Sequence, residues 1–296
     1  SMSGSNRGYQ TTAIGSALDH QVIYGKVRVA GARIYDEATG TDNKYLHRIV
    51  AIAGHEIESF DKIYINDSYV NFSDIDADGN LSTVTDADGT TSDRYDDHVK
   101  INFHYGSPTQ GADTDLIGDS AHWTAAHKLS GIAYMYIRLK YSADVFPNGI
   151  PEFTAEVKGK KVYDPRTQTT SWSDNPALCL RDYLTSSYGI SEEVASVDDS
   201  LVITAADVCD QKNTDAGTIR YTCNGAFTTA STPYDMIYSM LTSMDGSLWY
   251  AQGKWRMKPA YWTAPVLDLN EDDLRSNISV STRHSRRDNF NVVKGT

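Results

Sequence analysis

The chain has 296 residues, 40% of them hydrophobic and 22% charged, enough for one large β-rich unit or two modest domains. A formal net charge of −12 opposes nonspecific attraction to nucleic acid, and no apolar run approaches the ~20 residues that cross a bilayer as a helix. Nineteen tyrosines against seven Phe and five Trp favour strands and half-wet contact surfaces.

The polar start, Ser1 to Gly8, reads as a cloning scar with a flexible lead-in reaching residue 19, without a signal-peptide pattern. Residues 20–170 then read as β. A strand is expected over Val22–Val29, alternating around Val27 and Val29, and another over Lys44–Ile52. Lys62–Ile65 and Tyr69–Phe72 form a hairpin around the turn pair Asn66-Asp67. Apolar content collapses over 74–97, an Asp-rich stretch expected to be an exposed loop or hairpin tip. Strand character returns at Val99–His104, followed by a short helical patch over Trp123–Leu129. Ala133–Tyr141 alternates cleanly, Ala133, Met135, Ile137 and Leu139 on one face and Tyr134, Tyr136, Arg138 and Lys140 on the other. Phe153, Ala155 and Val157 make a strand turned at Gly159 into Lys161–Tyr163, and Asp164-Pro165 closes the β-rich half.

Residues 171–296 mix in helices, with the boundary near Thr169–Asp174. Asn175-Pro176 and Thr232-Pro233 each supply a cap followed by proline at the first helical position, with Gly189 and Gly246 as stops. A further helix covers Ser200–Cys209. Leu248–Ala251 and Lys254–Lys258 form a hairpin across Gln252-Gly253, and short strands follow at Val266–Leu269, Ile278–Thr282 and Phe290–Val293. The C-terminus follows a strand-like stretch directly, and both ends are expected to continue into a longer polypeptide. Cys179, Cys209 and Cys223 are odd in number, lack CxxC spacing and read as buried thiols. On pattern alone the fold is α+β and β-rich.

Few constellations carry chemistry. Asp74, Asp76, Asp78 and Asn80 alternate as calcium ligands do, yet the twelfth position, where a bidentate Glu closes such a loop, is Thr85. The competing reading is a solvated turn made by Asp and Gly. His122 and His127 are five apart, poor spacing for one helical zinc face, and read as capping or packing residues with His98 and His104. No Gly-x-Ser-x-Gly elbow and no phosphate-cradling glycine loop occurs. Trp249, Tyr250, Trp255, Tyr261 and Trp262 either stack on a partner or fill a hairpin core. The basic run Arg283–Arg287 reads as a solvated or interfacial strand.

Several stretches, in order from residue 20 to the end, resemble the tail tip attachment protein J family, the central tail hub of lambda-like phages and prophages. They are Val22–Gly31, Gly54–Ile57, Trp123–Tyr134, Gly159–Arg166, Asn175–Leu184, Tyr221–Gly225, Gly253–Arg256 and Arg286–Asn291. The resemblance does not extend to the 74–97 loop. It implies a β-barrel-like hub domain, then a mixed α/β domain of two or three helices on short antiparallel sheets. It further implies a non-enzymatic homotrimer in the virion, closing the tail tube, assembled with other tail tip and tail tube proteins and needing no cofactor; the calcium reading of Asp74, Asp76, Asp78 and Asn80 rests on those residues alone and is not carried by the resemblance. Subunit contact is then expected at the Tyr134, Tyr136 and Arg138 face and at Arg283, Arg286 and Arg287. The rival readings are a tail-associated cell-wall or polysaccharide hydrolase, with no catalytic residue singled out, and a receptor- or glycan-binding module using the Trp249–Trp262 aromatics.

Overall fold

Val22, Ile23 and Tyr24 are all buried, and their alternation decides the architecture: Ile23 points into one apolar core, Val22 and Tyr24 into another. The computed structural model describes residues 11–15, 18–213, 217–265, 267, 270 and 273. Residues up to Ala260 form one unit, and those from Tyr261 onward a second, of which few are described.

The chain opens with β1 (Ala13–Ile14), β2 (Gln21–Tyr24), β3 (Lys26–Val29), β4 (Ala32–Thr39) and β5 (Tyr45–Ala53). The strand expected over Val22–Val29 is therefore two. Gly25 adopts φ +64°, where a Cβ would meet the Cys223 carbonyl oxygen at 2.1 Å, and the chain changes sheets there. Next come β6 (Ile57–Ile65) and β7 (Ser68–Val70), the expected hairpin, with Asn66 in the left-handed region. The Asp-rich stretch holds only the short β8 (Val84–Thr85) and β9 (Thr91–Ser92). β10 (Val99–Tyr105), α1 (Thr114–Asp119), β11 (Ala133–Lys140), β12 (Phe153–Asp164) and β13 (Thr169–Trp172) follow.

Two sheets result. One runs β1-β4-β5-β11-β10, the other β13-β12-β6-β7-β8-β9, with β3 also paired to β12. They enclose a common interior: Val50 and Ile52 from β5, Ile63 and Ile65 from β6, Met135, Ile137 and Leu139 from β11, and Ala155 and Val157 from β12. This is the barrel-like, β-rich half.

Three expectations are corrected here. Trp123–Leu129 is irregular rather than helical, and the helix lies upstream as α1. Asp113 caps it by accepting from the Leu116 N–H at 2.9 Å, a local signal too short to register as periodicity. Gly159 is no turn, because β12 runs unbroken through it. The eight-residue β4 has no counterpart among the expected strands. Its half-buried alternation mixes Arg33, Asp36 and Glu37 with apolar residues, and its charges are satisfied by pairing.

The second core gathers α2 (Pro176–Thr185), α3 (Asp199–Cys209), β14 (Gly225–Thr228) and α4 (Pro233–Ser243), with the hairpin β15 (Ser247–Ala251) and β16 (Lys254–Lys258). Both cap-proline signals hold: Asn175 accepts from the Ala177 and Leu178 N–H groups, and Thr232 from that of Asp235. β14 pairs with β2, so the seam strand carries the helical layer. Arg181, 4% exposed, makes a bidentate pair with Asp199 at 2.7 and 3.0 Å, tying α2 to α3. Cys179, Cys209 and Cys223 are free and buried, and burial pushes the Cys209 thiol up to about 12. The fold is thus α+β and β-rich, with α2, α3 and α4 on the second core and the short α1 against the outer face of the first sheet. The strands expected at Val266–Leu269, Ile278–Thr282 and Phe290–Val293 lie outside the described residues, apart from Leu267.

Candidate functional site

β11 places Met135, Ile137 and Leu139 in the first core and turns Tyr134 and Tyr136 to the opposite face of its sheet. That face is not open. α1 and Trp123 cover it, and both tyrosines are 0% exposed. Tyr134 stacks on His104 with ring centroids 4.1 Å apart, and the Tyr136 hydroxyl meets His47 Nδ1 at 2.8 Å. The Tyr134–Tyr136 face expected at a subunit boundary is therefore interior, since a strand covered on both faces buries both alternating sets. Arg138 remains partly exposed, bound to Asp119 at 3.3 Å and lying over the Tyr45 ring. Arg283, Arg286 and Arg287 lie outside the described residues.

The Asp-rich stretch forms a lobe anchored by Ile75, Leu81, Val84 and Tyr95 in the first core. Two Asp-to-Gly turns shape it, Asp76 to Gly79 and Asp86 to Gly89, with φ +85° and +87° at the glycines. Asp76 spends its carboxylate on its own loop, accepting from the N–H groups of Asp78 and Asn80 and from the Asn80 amide at 2.8–3.0 Å. These bonds, those from Asn80 first, favour the charged form and hold the Asp76 carboxyl below the usual carboxylate range. Asp86 pairs with Arg94 and accepts from Ser68. Asp74 ends a short 3-10 helix, Asp78 lies in the turn and Asn80 bridges to Lys100; among the described residues no three His, Cys, Asp or Glu side chains gather as metal ligands.

The histidines have other work. His122 meets Glu37 at 2.8 Å, His127 stacks on Trp123, His104 meets Asp113 at 2.9 Å, and His98 meets the Asp96 carbonyl. The Ser120 and Tyr35 hydroxyls hold the Glu37 carboxyl down to about 2, so it stays ionised and poorly suited to donate a proton near neutrality. Burial raises the Asp174 carboxyl.

One cluster lies beyond the sequence reading, and a second adds cations to aromatics that the sequence singled out. At the seam between the cores, Asp182 of α2 accepts from the hydroxyls of Tyr24 and Tyr188, each at 2.6 Å, and lies 3.2 Å from Lys160 of β12. Its residues run from Tyr24 to Tyr188, 164 positions apart, and share no spacing that could announce them. The second is the outer face of the β15–β16 hairpin. Leu248, Trp255 and Met257 turn inward, so period 2 puts Trp249, Lys254, Arg256 and Lys258 on the other face. Trp249 is 39% exposed and its neighbour Tyr250 57%. The alternation around Gln252-Gly253 was the available signal. In the second unit, Trp262 is exposed. No described helix is long and apolar enough to cross a membrane.

No family model matches the chain. It is similar to the baseplate hub protein pb3 of Escherichia phage T5, 24% identical over 337 aligned positions that cover 93% of this chain. The chain spans only 35% of that relative's length. Among solved structures, a chain of the virion of a native gene transfer agent particle aligns at 16% identity with a TM-score of 0.49, covering 93% of this chain and 60% of the other.

Proposed function

We propose that the chain is a structural part of a phage or prophage tail, a piece of the central hub that closes the tail tube at its tip and joins it to host-contacting parts. The observation that carries this reading is the likeness to a baseplate hub protein along 93% of the chain. The ordered stretches shared with the tail tip attachment protein J family support the tail-tip form of it, and with it a virion location and a homotrimer built against other tail tip and tube proteins. The work proposed is shape and fit, with no reaction.

The test is made in particles. The full chain, tagged and expressed from its own phage or prophage, should co-sediment with purified tails and be labelled at one end by gold-tagged antibody. Deleting its gene should leave tails unassembled or tipless. Recovery only as free protein, with intact tails in the deletion strain, would sink the reading.

A second reading, glycan binding, draws on the exposure of Tyr234, Tyr238, Trp249 and Tyr250. Binding of the chain to a host glycan array, lost on Trp249→Ala, would favour it. The third, a hydrolase, predicts release of soluble fragments from peptidoglycan. For the 74–80 lobe we propose a turn role. Millimolar calcium is expected to leave the melting temperature unchanged, and a rise with calcium that disappears in Asp78→Ala would establish a cation site instead.

A further inference from the structure

We infer that the outer face of the β15–β16 hairpin is a docking surface for a second copy of this chain, and that it receives the acidic 74–97 lobe of that copy. The inference rests on the hub reading, since it concerns how copies meet.

The ribbon from Ser247 to Lys258 contains three cations and no acidic residue, in a chain whose net charge is −12. Strand alternation gathers Lys254, Arg256 and Lys258 on one face with Trp249. Arg256 already lies 3.3 Å from Asp198, whereas Lys254 is exposed at the ribbon's turn. An exposed Trp that shares a strand face with cations has the composition of an interface anchor, because the ring contributes contact area and the charges select an anionic partner.

The lobe is its complement. Residues 74–97 hold eight aspartates against one arginine, Arg94, which is itself taken by Asp86. Asp76, Asp78, Asp88, Asp93 and Asp96 are exposed, and space around the tip at Gly89 is open, with no atom within 4 Å of a Cβ placed there. Among the described residues no ion pair joins the lobe to the ribbon. The lobe is rooted in the first core and the ribbon in the second. Two unlike, complementary patches on one chain are what a closed ring of copies needs, each subunit giving one patch and receiving the other. Copies that repel through their net charge also need such a local attraction to associate.

The experiment uses the full-length protein. A photo-crosslinking phenylalanine analogue replaces Trp249, isotopically heavy and light copies are mixed, and linked peptides are mapped. In parallel, self-association is followed by sedimentation velocity at low salt for Lys254→Glu, for Asp78→Lys with Asp88→Lys, and for all three together, each first checked for an unchanged melting temperature. Expected are heavy–light links from position 249 into 74–97, a loss of self-association of roughly tenfold or more in either charge-reversed protein, and recovery in the combination. If the wild type self-associates while Lys254→Glu is unaffected and the links fall elsewhere, the inference is overturned and the hub reading stands. If the protein neither self-associates nor enters tails, both fail. Glycan binding lost with Trp249 while association persists would also overturn it, giving the ribbon to a sugar.

Discussion

Gly159→Ala should cost at least about 3 kcal/mol of stability and Gly159→Val should prevent folding, because a Cβ at that position has nowhere to go. It would lie 2.2 Å from the Ile23 carbonyl oxygen and 2.6 Å from the carbon bearing it. Both are backbone atoms of β2, which passes over β12 so closely that the Gly159 N–H donates to the Gly25 carbonyl at 2.8 Å. No rotamer relieves a backbone clash, so the seam strand itself would have to lift. Lifting β2 exposes Ile23 to one side and Val22 and Tyr24 to the other, which opens both cores together. Gly89→Ala is the control. Its φ of +87° makes any side chain strained, but no atom lies within 4 Å, so about 1 kcal/mol is expected. Urea unfolding of the three proteins checks this, and equal costs at 89 and 159 would refute the close crossing.

The same glycine shows where legibility in the sequence ended. Period-2 alternation located β10, β11, β12 and the β15–β16 hairpin, and the cap-proline pairs located α2 and α4, since each is specified by its own residues. An isolated glycine within a strand pattern has two causes, a turn or the close approach of another backbone, and at Gly159 the second depends on β2, which ends 135 residues earlier in the chain. Tyr134 and Tyr136 failed for a related reason. Alternation tells which residues share a face, and it says nothing of whether α1 and Trp123 will cover that face. The basic–aromatic ribbon face was within reach of the pattern. The Asp182 cluster, assembled from β2, α2, β12 and the segment at Tyr188, was not.

Acid should weaken the fold through His55, by about 2–3 kcal/mol between pH 7 and pH 4. This histidine sits in the link from β5 to β6. Its Nε2 accepts from the Ile23 N–H at 3.0 Å, and its Nδ1 lies 2.8 Å from the Glu56 carbonyl oxygen. A carbonyl can only accept and an N–H can only donate, so the ring must be neutral with its proton on Nδ1. A second proton would face the Ile23 N–H, donor against donor. Burial holds the imidazole down to about 4, and the nearby Lys160 charge acts in the same direction, against the weaker opposing influence of the Glu56 carbonyl and Asp182. In the unfolded chain the ring has its ordinary value of about 6.5. The unfolded state therefore takes up the proton first as pH falls. The stabilisation is complete above about 6.5 and is lost progressively until the folded protein also protonates near 4. His55→Gln can keep both hydrogen bonds, its carbonyl oxygen accepting from Ile23 and its amide donating to Glu56, and has nothing to titrate. It should be nearly as stable as the wild type at pH 7 and lose less stability by pH 4, the gap between the two curves being the histidine's share. Parallel curves would mean that carboxylates alone carry the acid sensitivity. Because Ile23 lies on the seam strand, protonation at this one ring strikes the strand that both cores share, and acid unfolding should take them in one transition.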